Sequence, residues 1–224
     1  MRKYVIQFSK EGYIKYTSHL DMLRLFKRTF KKCGIAMAYS QGFNPHPKMG
    51  FAQPLSLGYT SRCELLEFET TVNYEPQEIA EMLRKVMPEG VEILSCDYDR
   101  SNAKSLAAAT EAAEYLVQFP VACDKAKHEE LLVSYLAQEK IFAEKRQKKT
   151  KKMVTVDIRP KIRAIKLADG ENLALSMILD CGSTSNLSPE QVISSFVKFA
   201  ELDVPRYEIE VERKENFFGR FGIK

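Results

Sequence analysis

Three histidines in 224 residues leave few candidates for acid–base chemistry. Two of them stand where chemistry is conceivable. His19 lies in Thr17-Ser18-His19-Leu20-Asp21, a segment that opens a helix, where the positive end of the helix dipole disfavours a second positive charge. His46 lies between Pro45 and Pro47, followed by Lys48. If the two converge, with Lys48 and Tyr39 nearby, they would suit proton transfer at a phosphodiester. Their ordinary roles are a capping-turn residue bonded to backbone and a hydrogen-bonded loop pin. A metal held by His19, His46 and Asp21 has no spacing to fix it, so neither a metal nor a cofactor is expected. His128 falls on a charged helix face and is expected in solvent. The five cysteines form neither CxxxCxxC nor CxxC, and HExxH, GxxxxGK[ST] and GxSxG are absent. Nothing in this inventory names a reaction.

The segment holding His46 carries the densest information. Tyr39 to Gly58 contains Gly42, Gly50 and Gly58 with Pro45, Pro47 and Pro54. Each proline lacks an N–H and restricts the residue before it, so no helix survives there. The prolines also lower the entropy of the unfolded loop, and Tyr39, Phe43 and Phe51 offer packing surface. An ordered loop follows, holding Gln41, Asn44, His46 and Lys48 in fixed relation, with glycine N–H groups available to an anion. A turn-rich connector between two strands is the plainer alternative.

Charge is uneven along the chain. Residues 1–60 carry ten Lys/Arg against two acids (+8), residues 61–114 five against twelve (−7), and residues 140–166 eleven against two (+9). Two basic regions of this size suggest a polyanionic partner. Arg24, Lys27, Arg28, Lys31 and Lys32 fall on one arc of the first helix, beyond what the C-terminal dipole requires. Lys148, Lys149, Lys151 and Lys152 crowd the tip of a second basic stretch that would wrap a phosphate backbone or simply solubilise a loop. No apolar run reaches the ~18 residues of a membrane span. The short, polar N-terminus does not read as a signal peptide, and the odd, scattered cysteines point to a reducing cytoplasm.

Periodicity supplies the scaffold. Tyr4, Ile6 and Phe8 mark a strand over 2–9. Ser18 caps a helix running to about Cys33, with Gly34 after it; Met22, Leu23, Leu25, Phe26, Phe30 and Cys33 form its apolar arc. Strands are expected at 35–38, 49–53 and 63–72, the last with Leu66 and Phe68 opposite in register to Glu64. A helix begins at Pro76, and a strand at Val91. After a linker, or short helix, over 101–113, strands follow at 114–120, 141–145, 153–158, 162–167, 173–179 and 207–211. Helices over 124–138 and from Pro189 complete the order. The fold class is therefore α+β, with two ferredoxin-like βαββαβ halves in tandem, 1–100 and 114–224, the second carrying an inserted basic β-hairpin. The tail Phe217-Phe218-Gly219-Arg220-Phe221 is costly to expose and should dock on this chain, a partner or RNA bases.

Ser18-His19-Leu20-Asp21, then Ala38 to Lys48, then Phe51-Ala52-x-Pro54-Leu55-x-Leu57-Gly58, resemble the signature of the radical-SAM-linked proteins, a bacterial domain of unknown function encoded beside, or fused behind, a radical S-adenosylmethionine enzyme. The resemblance covers roughly residues 1–70 and matches the stand-alone type. It implies a radical SAM partner and an RNA- or ribosome-related pathway, and no activity of its own. The expectation is a non-catalytic accessory that binds tRNA or rRNA and presents substrate to the radical enzyme. Its binding residues would be Arg24, Lys27, Arg28, Lys31, Lys32, Gln41, Asn44, His46, Lys48 and the hairpin lysines. The alternatives are a metal-independent RNA-processing enzyme using His19 and His46, and a protein–protein adapter working through the acidic 61–114 segment and the aromatic tail.

Overall fold

Alternation of apolar residues builds the first strand. In the computed structural model, which describes residues 2–100, 104–147 and 150–219, Tyr4, Ile6 and Phe8 are all buried along β1 (Arg2–Lys10). The chain then divides into two compact units, residues 1–110 with 218–224, and residues 111–217. Both are α+β.

In the first unit, a 3-10 turn (Gly12–Tyr16) leads to α1 (His19–Lys32). Ser18 caps α1, its Oγ accepting from the Asp21 N–H at 3.2 Å. Gly34, at φ +70°, takes the left-handed position just past its end. Met22, Phe26 and Phe30 of α1 are buried against Tyr4, Phe8 and Phe68. Full burial of each phenylalanine is worth about 1.5–3 kcal/mol. Next come β2 (Met49–Phe51), β3 (Thr60–Thr70), α2 (Pro76–Arg84) and β4 (Ile93–Tyr98). β1 pairs antiparallel with both β3 and β4, and β2 pairs antiparallel with β3 across Leu66 to Phe68, residues that also face β1. The strand order is β4-β1-β3-β2. A one-turn helix, α3 (Leu106–Ala109), lies within the acidic segment, and the N–H of Leu106 donates to the Glu67 carboxylate at 3.1 Å.

The second unit runs β5 (Thr110–Ala122), α4 (Lys125–Ala137), β6 (Phe142–Arg146), β7 (Met153–Asp157), β8 (Ile162–Leu167), β9 (Asn172–Asp180), α5 (Pro189–Phe199) and β10 (Glu210–Phe218). Its sheet has the order β10-β5-β9-β8, and β6 and β7 form a separate antiparallel hairpin. Tyr135 and Phe119 pack on Phe196 of α5 at the centre of this core.

Four expectations change. Residues 35–38 form no strand of their own: the helix cap uses the backbone of Cys33 to Ile35, and what remains is an isolated bridge, Met37 to Thr70, beside β3. The last strand starts later than 207, because Arg206–Glu208 is a 3-10 turn closed by the Arg206 guanidinium, which donates to the Ile209 carbonyl at 2.7 Å and pairs with Glu190. His128 is 6% exposed, not solvated: it precedes Leu132 and Tyr135 by four and seven residues, the spacing of one helix face. Glu64 shares the parity of Leu66 and Phe68 on β3 and is buried with them.

Candidate functional site

Helix α1 is divided sharply by burial. Arg24, Lys27, Arg28, Lys31 and Lys32 are all exposed, on the side away from Phe26 and Phe30. Arg24 is held by Asp21, at 2.7 Å, and that contact, after the hydrogen bond from Ser18, keeps the Asp21 carboxyl below its ordinary range. Lys27, Arg28, Lys31 and Lys32 take part in no ion pair among the described residues. Four exposed cations on one helix face make a surface to which phosphates are drawn.

The proline-rich loop is ordered by its own bonds. Tyr39 and Pro47 form an isolated bridge, and Ser40 N–H donates to the His46 carbonyl at 2.9 Å. Ser40 Oγ accepts from the His46 backbone N–H at 3.1 Å and lies 3.0 Å from the ring Nδ1. Residues 41–46 are nevertheless exposed, Phe43 fully so, and only Pro47 is buried. The loop thus presents Gln41, Phe43, Asn44 and the His46 ring to solvent from a closed backbone. Lys48 has a structural partner, its Nζ donating to Glu69 at 2.9 Å.

A pocket opens where β1, the start of α1 and the segment after β2 meet. Lys10, His19, Gln53 and Glu64 supply its polar lining; Phe8, Met22, Phe51 and Leu55 supply its walls. Its cavity volume is about 20 Å³, room for little more than one water, and the depression with the open solvent at its mouth spans about 260 Å³. Lys10 is 3% and Glu64 4% exposed, so two charged groups in its lining have been withdrawn from water. Lys10 Nζ donates to the Thr17 carbonyl at 2.9 Å. The His19 ring meets Phe51 edge to face, centroids 5.3 Å apart. Burial, and then the Lys10 charge, push the His19 imidazole below its usual 6.5, so it stands neutral at pH 7 as an uncharged donor and acceptor. Among the described residues no group of three or more His, Cys, Asp and Glu is placed to hold a metal.

The structure therefore separates the candidates. His19 lines the pocket; His46, Lys48 and Tyr39 are not among its lining residues. The hairpin lysines Lys151 and Lys152 are exposed, whereas Lys148 and Lys149 lie outside the described residues. Phe217 and Phe218 are half-buried at the end of β10, and the Gly219 N–H donates to the Ala109 carbonyl at 2.9 Å; Arg220 and Phe221 lie outside the described residues. Sequence reasoning passed over Lys10, Gln53 and Glu64. The signal for two of them was parity: Lys10 continues the Tyr4, Ile6, Phe8 alternation, and Glu64 that of Leu66 and Phe68.

Among solved structures, the chain is similar to one in a Cbf5-Nop10-Gar1 complex (12% identity, TM-score 0.50), covering 95% of this chain and 48% of that one. It is also similar to chains in an archaeal box H/ACA sRNP Nop10-Cbf5 complex (13%, TM-score 0.46) and in an H/ACA RNP bound to a substrate RNA containing 2'-deoxyuridine (10%, TM-score 0.44), each covering 95% of this chain and 47% of that one. The chain thus spans about half the length of these neighbours. At such identities the first likeness speaks to fold alone, and the other two carry no argument. No curated protein sequence matches. Residues 3–189 match the family described as "Uncharacterized protein conserved in bacteria (DUF2344)", and the chain belongs to that family.

Proposed function

We propose that this chain is a non-catalytic RNA-binding accessory protein of the bacterial cytoplasm that presents tRNA, rRNA or a substrate bound to them to a radical SAM enzyme. The observation that carries the RNA part is the exposed face of α1, where Lys27, Arg28, Lys31 and Lys32 stand without ion-pair partners among the described residues. In this reading Arg24 and the loop groups Gln41, Asn44, His46 and Lys48 also meet RNA, and Lys148, Lys149, Lys151 and Lys152 of the basic hairpin contribute from the second unit. The radical SAM partner rests on the motif resemblance. The strand orders β4-β1-β3-β2 and β10-β5-β9-β8 support reading the two units as ferredoxin-like halves, with 1–100 and 114–224 as the domains and β6–β7 as an insertion. A two-histidine ribonuclease is not favoured, because His46 is bonded to Ser40 and does not line the pocket of His19.

The test is binding of fluorescently labelled tRNA and rRNA fragments to the full chain at rising salt. Affinity should fall steeply and linearly on a log–log plot. Absent binding, or binding indifferent to salt, overturns the reading.

A further inference from the structure

The pocket holds chemistry that the cationic surface does not need. Phosphate attraction is served by exposed lysines and arginines, yet Lys10 and Glu64 are buried where water cannot solvate them. Withdrawing two charges from water costs several kcal/mol per ion before compensation, and apolar residues would fill a core more cheaply. Both have other bonds, but neither is thereby exhausted: an ammonium has three donors, and a carboxylate about four lone-pair sites. The Lys10 head is bonded to the Thr17 carbonyl, two residues before His19, and its charge acts on that imidazole. Phe51 supplies an aromatic wall and Gln53 a second amide at the rim.

We propose that this pocket reads the Watson–Crick edge of a single unstacked guanine. That edge presents two N–H donors side by side, at N1 and N2, with the O6 acceptor next to them. A carboxylate accepts the donor pair in parallel, and an ammonium or neutral imidazole donates to the carbonyl. Glu64 takes the first role, Lys10 and His19 the second. Adenine, cytosine and uracil lack the paired donors that satisfy a carboxylate twice. The cavity, about 20 Å³, holds little more than one water, so only polar groups at the edge of a base would replace water there, with the ring itself in the open mouth. Neighbouring bases have platforms at hand. Tyr13 and Tyr16 are exposed on the 3-10 turn, which is tied to the pocket's flanks by the Lys10 bond to Thr17 and by the Gly58 N–H, donating to the Lys15 carbonyl at 2.9 Å. Aromatic stacking of this kind is how single strands are held without regard to sequence.

The inference rests on the RNA-binding reading, and one experiment separates the two. The full chain is titrated against labelled ten-residue oligoadenylates whose central position is adenosine, guanosine, inosine, N1-methylguanosine or abasic, with free GMP in a parallel arm. The guanosine oligomer should bind about tenfold tighter than the all-adenosine one. Inosine, lacking the N2 amine, and N1-methylguanosine should lose most of that gain. Glu64→Gln should erase the preference for guanosine over adenosine. Should Glu64→Gln fail to fold, the modified oligomers still decide. Equal affinity for all oligomers with no GMP binding overturns the guanine pocket and leaves the RNA reading standing. No binding of any oligomer overturns both, unless GMP alone binds. In that case the guanine chemistry holds, with a free nucleotide as its source.

Discussion

Replacing Lys27, Arg28, Lys31 and Lys32 by glutamine tests the electrostatic argument at its base. All four side chains are exposed, so their loss touches no packing; the changes at Lys27 and Arg28 should each alter stability by less than about 0.5 kcal/mol. Lys31 and Lys32 sit in the last turn of α1, where each also interacts favourably with the helix dipole by about 0.3–1 kcal/mol. The fold should therefore persist with a small loss in melting temperature. Binding should respond far more. On a single strand each neutralised phosphate contributes about 0.7 to the slope of log affinity against log salt. Four lost contacts lower that slope by about 2.8, and over a fourfold change in salt the wild-type affinity should fall about 50-fold more than the variant's. Anisotropy titrations of labelled tRNA at several salt concentrations, with circular dichroism as the folding control, read both quantities. A folded quadruple variant with unchanged affinity and slope would refute the assignment of this face. Arg24 is left in place because its partner Asp21 would otherwise confuse the comparison.

The remaining expectations concern the scaffold and the pocket. Gly90→Ala should destabilise by about 3 kcal/mol or more in denaturant titration: the backbone there is at φ +86°, and an added Cβ would lie 2.6 Å from the Glu11 carbonyl oxygen, which is backbone and cannot swing away; a change below about 0.5 kcal/mol would contradict the packing of that turn. Cys96 is 4% exposed, and burial pushes its thiol up to about 12, so it should resist thiol reagents at pH 8 while half-buried Cys63 and Cys123 react; preferential labelling of Cys96 would contradict its place in the core. By NMR, His19 should titrate below 6.5, and Lys10→Met should bring it part of the way back, since burial, the larger cause, remains. The sign for stability follows. The unfolded chain takes the proton first as pH falls past 6.5, so the contribution of neutral His19 is complete above that value and is lost as pH drops through the folded midpoint. A midpoint at or above 6.5 would refute the desolvated placement of the ring.

How far the sequence carries the structure depends on whether the deciding force is local. Helix α1 was legible to within a residue or so, because Ser18, the apolar arc and Gly34 act within one element. The strands expected at 162–167 and 173–179 are β8 and, one residue longer at each end, β9. Residues 35–38 misled because Ile35 is spent on closing the helix end and the rest on one bridge, Met37 to Thr70, whose place is set by where β3 runs. His128 misled because its charged neighbours Lys127 and Glu129 point elsewhere on the helix, and only its spacing from Leu132 and Tyr135 reveals the buried face. The pocket was invisible for a different reason. Lys10, Gln53 and Glu64 come from three separated segments, and no periodicity announces that they meet.

The motif residues themselves fall into two classes, and the division bears on function. Phe51, Ala52, Leu55 and Pro47 are buried, and their presence follows from packing. Gln41, Phe43, Asn44 and the His46 ring are exposed on a loop closed by the Ser40–His46 bonds, and no packing term requires those side chains. An exposed phenylalanine on an ordered loop forgoes about 1.5–3 kcal/mol of burial. A serine–histidine closure that holds it there stabilises a display rather than a core. His19 belongs to neither class: it packs on Phe51 from within the pocket while its ring remains half open to solvent. On the RNA-binding reading, recognition would be divided between a surface that meets charge, a loop that offers an aromatic tip, and a pocket that discriminates an edge. Only the last would make that interaction specific, since the first two would accept any strand.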